Sequence, residues 1–323
     1  MGDRLKVLHI SGTGRNGSTL LGNILGHCDG FTNVGELLDL GLNLAHGRPP
    51  CGCGIQLSDC KLWNLVLADV FRKVDQSFLP RFRTLRLAET VRRNLPYLIT
   101  SAGLRKLDQR FGKTRSDLET LFRAIQKEFK STVIVDSSKQ PMYLHLLSSI
   151  EAIDLYVVHL IRDPRALALA YQRRVEREGY VLHMRPFRTS VQWLRRNSAI
   201  EFLTRNSGRR PLRIRYKDLV TRPYEVVSTI VKFAGENCAK LPFENEHVVN
   251  LRALHTVAGN PNRFITGRVE IRNDEKWPAE LGTVPKLLVT AMTWPFLLRY
   301  GYRISPAAAS ISHGMSKESM RAA

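Results

Sequence analysis

The stretch SGTGRNGSTLLGNILG at residues 11–26 combines residue types that bind phosphate groups. Gly12 and Gly17 have the spacing of the motif G-x-x-x-x-G-K-[ST], and Thr19 supplies its hydroxyl group. Ser18 stands where that motif has the lysine that contacts the terminal phosphates of a nucleoside triphosphate. Helix N-termini bind anions, and Arg15 can add the charge that Ser18 lacks. The stretch therefore predicts an anion site; a turn that only connects a strand to a helix is the alternative.

A second basic segment, HLIRDPRALALAY (159–171), begins within the last residues of an apolar run. Asp163 and Pro164 are typical of the N-cap and first turn of a helix, so Arg162 and Arg165 lie where a strand gives way to a helix. An arginine in this position can also be a surface ion-pair partner. Two anion-suited strand ends in one sheet indicate a ligand with two separated anionic groups.

Four short apolar runs predict the strands that position these residues. They are LKVLHISG (5–12), TVIVD (132–136), LYVVHLI (155–161) and LRIRY (212–216). A segment with helical apolar spacing follows each run. Strands that lead into helix N-termini predict an α/β fold with a parallel sheet, which binds ligands at the carboxyl ends of its strands. Residues 40–130 contain no clear strand pattern and are predicted to be a helical insertion.

The chain of 323 residues is long enough for one large domain, predicted at 1–305 with a disordered tail at 306–323. The N-terminus lacks the apolar segment of a secretory signal. No apolar run approaches the roughly 20 residues of a membrane span. These features predict a cytoplasmic location, with peripheral binding to a membrane as an addition that the charge allows.

The net charge of +20 is concentrated in two segments. Residues 72–115 carry 12 Lys/Arg against 3 Asp/Glu, and residues 162–215 carry 14 against 4. A charged surface that aids solubility is one explanation, but the asymmetry favours attraction to an anionic cofactor, substrate or surface. Nucleic acid is not expected as a partner, because no zinc finger, RNP-type strand or helix-turn-helix motif is recognisable. The oligomeric state is left open.

Three of the five cysteines, Cys51, Cys53 and Cys60, form the pattern C-x-C-x6-C. This spacing matches no standard zinc site, and no fourth ligand is evident in the sequence. We interpret the three as structural thiols, with a disulfide as the alternative, and predict no metal.

Taken together, these stretches resemble the PAPS-dependent sulfotransferases, whose donor 3'-phosphoadenosine 5'-phosphosulfate (PAPS) has two separated anionic groups. GRNGSTLLGNIL is similar to the family's 5'-phosphosulfate loop, and HLIRDPRALALAY resembles its 3'-phosphate segment. RYKDLVTRP (215–223) resembles the family's R-Y-E-D-L-x-x-x-P. VGEL (34–37), CGCG (51–54) and GNPNRFITGRVEIRNDEKW (259–277) are similar to a microbial and carbohydrate-type branch. The resemblance implies a three-layer P-loop-like fold with a central parallel sheet, and PAPS as the sulfuryl donor.

The resemblance also implies which residues bind the donor. By position, the 5'-phosphosulfate would be bound by Arg15, Asn16, Gly17, Ser18 and Thr19. The 3'-phosphate would be bound by Arg162. The family usually has a serine eight residues after that arginine, where this chain has Ala170. Arg263 and Arg268 are candidates to replace the lost contact, because the family often closes this site with a basic loop; surface arginines in a mobile loop are the alternative.

Sulfuryl transfer is an in-line displacement by a hydroxyl, so the protein must position the reactants, neutralise the leaving phosphate and accept a proton. Arg15 is expected to neutralise the phosphate, and Lys139, at the end of the second predicted strand, to assist. Glu36 resembles the general-base glutamate of the tyrosyl-protein branch, with a glutamate at a helix N-terminus as the alternative. The rival bases are His27, His159 and His255.

The sequence thus predicts a sulfotransferase that acts on a hydroxyl-bearing acceptor. A glycan, a glycolipid or a small metabolite fits, and the charge favours an anionic or membrane-associated acceptor. Two alternatives stay open. A small-molecule kinase is disfavoured by Ser18, and a non-catalytic anion-binding protein with the same fold is made conceivable by Ala170.

Overall fold

The computed structural model describes residues 4–47, 49–90, 97–98, 100–172, 175–177, 180–238, 240–273 and 275–304. The predicted tail at 306–323 lies outside these residues.

The strands include the four that the apolar runs predict. In chain order they are β1 Leu5–Gly12, β2 Phe31–Gly35, β3 Val133–Lys139, β4 Ile153–Ile161, β5 Val175–Arg177, β6 Tyr180–Leu182, β7 Leu212–Arg215, β8 Phe243–Asn245, β9 Val248–Leu251 and β10 Gly267–Glu270. Five of them form the central sheet in the order β2-β3-β1-β4-β7, and all neighbouring strands are parallel. The predicted α/β fold with a parallel sheet is therefore confirmed.

The helices surround this sheet. They are α1 Ser18–Leu25, α2 Leu40–His46, α3 Lys61–Phe71, α4 Phe78–Thr90, α5 Ser101–Phe129, α6 Pro141–Ser148, α7 Pro164–Gln172, α8 Pro186–Asn206, α9 Tyr216–Thr221, α10 Pro223–Phe233, α11 Trp277–Glu280 and α12 Thr283–Arg299. Short 3₁₀ helices span Leu37–Asp39 and Pro261–Phe264. Helices α2–α5 all lie between β2 and β3 in the chain. Among the described residues, no helix is long and apolar enough to cross a membrane.

Alternation along the strands builds three layers. In β1, Leu5 and Val7 point to one face of the sheet, where they pack with apolar residues of α3, α5, α6 and α8. Leu8 and Ile10 point to the other face and pack with α1, α10 and the small antiparallel sheet of β8, β9 and β10. Since both faces are covered, the strands read as nearly continuous apolar runs, as expected for a parallel sheet.

Strand β2 was not predicted, because FTNVG is short and contains polar residues and a glycine. It forms because its backbone pairs with the edge of β3, where Phe31 lies opposite Val133. This pairing has a consequence for the site, since β2 carries Glu36 to the same edge of the sheet as the ends of β1, β3 and β4.

Candidate active site

The loop between β1 and α1 has backbone conformations that favour glycine. Gly12 has φ 143°, and Gly17, the N-cap residue of α1, has φ 95°. A Cβ atom at Gly17 would lie 2.5 Å from the ring of Tyr216, and one at Gly12 would lie 2.4 Å from the carbonyl oxygen of Leu160. Neither distance is tolerated by real side chains. The loop therefore folds tightly over the end of β4 and leads into a helix N-terminus, an arrangement that binds anions.

Asn16 is completely buried and holds this loop in place. Its Nδ2 donates to the carbonyl oxygen of Leu160 at 2.9 Å, and its Oδ1 accepts from the backbone N–H of Ser18 at 3.2 Å. Ser18 is buried at the first turn of α1, and the hydroxyl oxygen of Thr19 accepts from the backbone N–H of Asn260 at 3.3 Å. Asn16 thus has a positioning role in the loop, whereas Ser18 and Thr19 lie in the first turn of α1. That these two residues bind an anion stays a prediction.

Arg15 and Arg162 lie at neighbouring strand ends. Nη1 of Arg162 donates to the backbone carbonyl of Arg15 at 3.0 Å, and its guanidinium carbon lies 4.2 Å from the ring centre of Tyr216. The guanidinium carbon of Arg15 lies 5.8 Å from the ring centre of Tyr171. Cations placed over aromatic rings are attracted by the negative face of the ring. The sheet therefore brings together the two arginines that the sequence assigns to the two ends of the donor.

Glu36 and Lys139 form an ion pair, with 2.8 Å between Nζ and Oε1. Lys139 is buried, has φ 62° and also donates to the carbonyl oxygen of Ser137 at 2.8 Å. It lies opposite Ser11 in the register of β1 and β3, one residue before the phosphate loop begins at Gly12. The two side chains that sequence reasoning assigned to phosphate stabilisation and proton transfer are thus in direct contact beside that loop.

The sequence matches the profile of the Sulfotransferase family over residues 8–240, which is more than half of the chain. The match includes both anion-suited strand ends and the Glu36–Lys139 pair. The chain belongs to the sulfotransferase family. A search of curated protein sequences gave no significant match.

Two solved structures share the fold of this chain. The sulfotransferase domain of the Synechococcus PCC 7002 olefin synthase is 18% identical with a TM-score of 0.52, and the alignment covers 92% of this chain and 96% of that domain. The sulfotransferase domain of the curacin biosynthetic pathway is 17% identical with a TM-score of 0.52, covering 94% of this chain and 100% of that domain. At these identities the comparison supports the fold.

Asp136 was not singled out in the sequence, although it organises the end of β3, which carries Lys139. Its carboxylate accepts from the backbone N–H and the hydroxyl of Ser138 at 2.8 and 2.5 Å, and from the hydroxyl of Tyr143 at 2.7 Å. Burial raises the pKa of Asp136 to about 6, although these hydrogen bonds oppose the shift. The signal was present in the sequence VIVDSSK, where an acidic residue directly follows three apolar residues of a buried strand.

Two tyrosines were also missed. Tyr216 packs against both Gly17 and Arg162, and Tyr171 lies beside the loop, since a Cβ at Gly14 would lie 2.5 Å from its hydroxyl. Tyr216 belongs to the RYKDLVTRP stretch, which sequence analysis recognised without giving any single residue a role. Both rings shape the arginine side of the loop.

Three further arginines that the sequence analysis considered contact other groups of the protein. Arg263 is buried, and its guanidinium donates to the carbonyl oxygens of Thr256 and Pro50 at 3.1 and 2.6 Å. Arg268 is exposed on β10 and pairs with Glu244 at 2.9 Å. Arg165 is buried and pairs with Asp163 at 2.7 Å. These contacts favour structural roles for Arg263 and Arg165, and what replaces a serine at Ala170 stays open.

The histidines considered as rival bases all have other contacts in the structure. His27 uses both ring nitrogens, one with the carbonyl oxygen of Asn23 at 2.8 Å and one accepting from the backbone N–H of Arg252 at 2.7 Å. His159 is completely buried, contacts Asn197 at 2.8 Å, and burial lowers its pKa to about 4. His255 lies among the thiols of Cys51, Cys53 and Cys60. Glu36, by contrast, follows β2 and contacts Lys139 beside the phosphate loop.

The three clustered cysteines do not form the disulfide considered as an alternative. All are free thiols, and the sulfur atoms of Cys53 and Cys60 are 3.9 Å apart, whereas a disulfide bond is about 2.05 Å long. His255, nearly 200 residues further along the chain, joins them.

Proposed function

We propose that this sulfotransferase transfers the sulfuryl group of PAPS to a hydroxyl of an acceptor. The observation that carries the proposal is a group of charged residues around the phosphate loop. The loop contains Arg15 and lacks the usual lysine. Arg162 contacts the loop at the end of β4, and the Glu36–Lys139 pair lies at the end of β3. A nucleotide with separate phosphosulfate and phosphate groups matches the cationic positions of Arg15 and Arg162.

In this proposal the nucleotide is bound at both ends. The N-terminus of α1, with Ser18 and Thr19, and the guanidinium of Arg15 bind the 5'-phosphosulfate. Arg162, held in place by its contacts with Tyr216 and the Arg15 carbonyl, binds the 3'-phosphate. The buried Asn16 keeps the loop in its binding shape before the nucleotide arrives, which lowers the cost of ordering it.

The proposed reaction is a single in-line displacement. The acceptor oxygen forms a bond to sulfur while the bond from sulfur to the bridging phosphate oxygen breaks, and adenosine 3',5'-bisphosphate (PAP) leaves with the electron pair. Glu36 takes the proton of the hydroxyl group. Arg15 and Lys139 stabilise the negative charge that develops on the leaving phosphate. Lys139 also holds Glu36 through the ion pair, so one lysine couples the positions of base and leaving group.

The acceptor side of the proposed site is formed by the helices that follow Glu36. A groove of about 460 Å³ lies between α2 and α4, where its wall includes Leu44, Leu79 and Leu87 together with Arg83. Apolar side chains beside a cation suit an acceptor that has both an apolar part and an anionic group. We therefore favour a glycolipid among the glycan, glycolipid and small-metabolite acceptors.

Thermal stabilisation measures the donor preference directly. PAP without Mg²⁺ should raise the Tm of the protein more than ATP with Mg²⁺ does, because the loop lacks the lysine that binds a triphosphate and Arg162 offers a second site for a phosphate. A ligand at 100 times its Kd stabilises the folded protein by about 2.7 kcal/mol. Arg15→Ala should abolish most of this stabilisation. Arg123→Ala, which removes the same charge from an exposed ion pair with Glu119 on α5, should leave it unchanged.

Transfer of label from ³⁵S-PAPS to a panel of glycolipids, soluble glycans and small hydroxylated compounds then identifies the acceptor. Stronger stabilisation by ATP with Mg²⁺ than by PAP would favour a kinase. PAP binding without transfer to any acceptor would favour the non-catalytic alternative, and transfer to soluble glycans alone would reject the glycolipid.

A further inference from the structure

Three thiols and an imidazole lie close together where the cysteine segment meets the loop that contains His255. The ligand atoms of Cys51, Cys53, Cys60 and His255 all lie within 4.8 Å of one another. Nδ1 of His255 is 3.3 Å from the sulfur of Cys60 and 3.9 Å from that of Cys51. The sulfurs of Cys53 and Cys60 are 3.9 Å apart.

These separations match a tetrahedral zinc site. Zn–S bonds of about 2.3 Å and a Zn–N bond of about 2.0 Å at tetrahedral angles place two sulfurs roughly 3.8 Å apart and a sulfur and a nitrogen roughly 3.5 Å apart. Three cysteines and one histidine form one of the common ligand sets of structural zinc. The sequence concealed this set because Cys51 and Cys53 are separated by one residue and the histidine comes from a distant segment.

The surrounding structure holds the four ligands in position. Cys51 and Cys60 are buried, and the backbone N–H of Gly54 donates to the carbonyl oxygen of Cys51 at 2.8 Å, forming the turn between the first two thiols. Cys60 is the N-cap residue of α3, so the start of that helix fixes the position of its backbone. The indole N–H of Trp63 donates to the carbonyl oxygen of His255 at 2.8 Å and so fixes the backbone of the fourth ligand.

We propose that Cys51, Cys53, Cys60 and Nδ1 of His255 bind a structural Zn²⁺ ion. Four protein ligands complete the tetrahedral shell, which distinguishes a structural site from a catalytic one that keeps a position for water. The site is independent of the donor and acceptor proposed above.

The metal would brace the wall of the active site. His255 begins a loop in which the carbonyl oxygen of Ala258 accepts from the backbone N–H of Glu36 at 3.0 Å, and the N–H of Asn260 contacts the hydroxyl of Thr19 at 3.3 Å. The N–H of Gly52 donates to the carbonyl oxygen of Thr256 at 2.9 Å, joining the cysteine segment to the same loop. Zinc would therefore clamp a loop that touches both the phosphate loop and the proposed base.

Metal analysis of the full-length protein, purified without chelators after growth with zinc, tests the proposal. We expect about one equivalent of zinc per chain, released in step with titration of the thiols by a mercurial reagent. Protein produced with Co²⁺ should show the intense visible absorption of a tetrahedral cobalt–thiolate site. Both measurements use the wild-type chain and do not depend on whether a ligand variant folds.

Variants assign the ion to these residues. Cys53→Ala, at a half-buried ligand, should lose most of the zinc and lower the Tm, whereas Cys238→Ala, a half-buried thiol outside the cluster, should keep the full zinc content. Folded protein with reduced thiols and no zinc would overturn the proposal. A Cys53–Cys60 disulfide found by mass spectrometry in freshly purified protein, or zinc that persists in Cys53→Ala, would do the same.

Discussion

Arg15 and Lys139, both predicted site residues, have backbone conformations that side-chain-bearing residues rarely adopt, with φ values of 60° and 62°. Lys130, the other non-glycine residue with positive φ in the described part of the chain, is the C-cap residue of α5, where this conformation is common. Strained residues of this kind cost of order 1–3 kcal/mol each and concentrate at functional sites. The cost is consistent with selection of these two side chains for their charge and position.

Glu36→Gln separates proton transfer from nucleotide binding. Glutamine keeps the shape of the side chain but cannot take the proton, so turnover should fall by roughly two orders of magnitude or more. Affinity for PAP should change little, because Glu36 faces the acceptor hydroxyl in the proposed mechanism. Calorimetry with PAP and a transfer assay with the acceptor identified by the panel provide the two measurements.

Glu119→Gln, at a half-exposed position on α5, is the control for the change of charge and should retain native turnover. If Glu36→Gln retained native turnover, Glu36 would have no role as a base. If Glu36→Gln instead lost its affinity for PAP, the ion pair between Glu36 and Lys139 would be needed to organise the donor side of the site.

At the scale of secondary-structure elements, the site depends on three neighbouring parallel strands. Strands β3, β1 and β4 are adjacent in the sheet, and their carboxyl ends carry Lys139, the phosphate loop and Arg162. In open α/β sheets, ligands bind in a crevice at the carboxyl ends of the strands. Helix α1 begins at that crevice, so its N-terminal charge adds to the arginines.

Gly17→Ala tests the contact between the phosphate loop and α9. The added methyl group would meet the ring of Tyr216 in a backbone conformation with φ 95°, so the loop must shift. We expect PAP affinity to fall at least tenfold, a loss of about 1.4 kcal/mol or more. The protein should also be destabilised by more than the roughly 1–2 kcal/mol that a left-handed conformation costs a non-glycine residue.

Gly208→Ala provides a matched control, because Gly208 has φ 67° and open space around the added methyl group. This variant should show the conformational cost alone and bind PAP normally. Equal PAP affinity in both variants would mean that the loop tolerates displacement from Tyr216.

At the scale of the whole molecule, the sheet buries titratable groups on one face beneath the site. His9 and His159 are both completely buried, and His9 lies beside β3 opposite Asp136 in the strand register. Burial, together with the charge of Lys139, lowers the pKa of His9 to about 3, and burial lowers that of His159 to about 4. The unfolded chain binds protons on these imidazoles below about pH 6.5, whereas the folded chain does not. These two histidines therefore lower the stability of the protein as pH falls below about 6.5.

His9→Leu should reduce this loss. A histidine that stays neutral in the folded protein costs about 2 kcal/mol of stability between pH 7 and pH 5, because the unfolded state gains the proton. Asp136 has the opposite sign, since a carboxyl whose folded pKa is about 6 stabilises the protein as pH falls from 7 to 5. That contribution is expected to be common to the variant and the wild type.

Urea unfolding at pH 7 and pH 5 measures the difference between the two proteins. His46→Leu, at an exposed histidine near the end of α2, should retain the wild-type pH dependence. An identical pH dependence in His9→Leu and wild type would mean that His9 is protonated in the folded state or makes no contribution to acid instability.

The sequence by itself determined the features that depend on local backbone chemistry. Glycine spacing, apolar runs and a proline in the first turn of a helix determine local structure through backbone sterics and through the periodicity of neighbouring residues. They predicted β1, β3, β4, β7 and the positions of Arg15 and Arg162 at strand ends. Strand β2 escaped, because its stability comes from pairing with β3 more than from its own residues.

Tertiary structure decided which distant residues meet. Lys139 contacts Glu36 across 103 residues, Arg263 donates to the carbonyl oxygen of Pro50 across 213, and His255 reaches Cys60 across 195. A residue's type states what it can bind but not what the topology places beside it. The assignment of Arg263 to a phosphate stays a prediction, and its guanidinium donates to the carbonyl oxygens of Thr256 and Pro50. A histidine considered as a base lies among three thiols. Both residues sit in a loop whose position is set by long-range contacts.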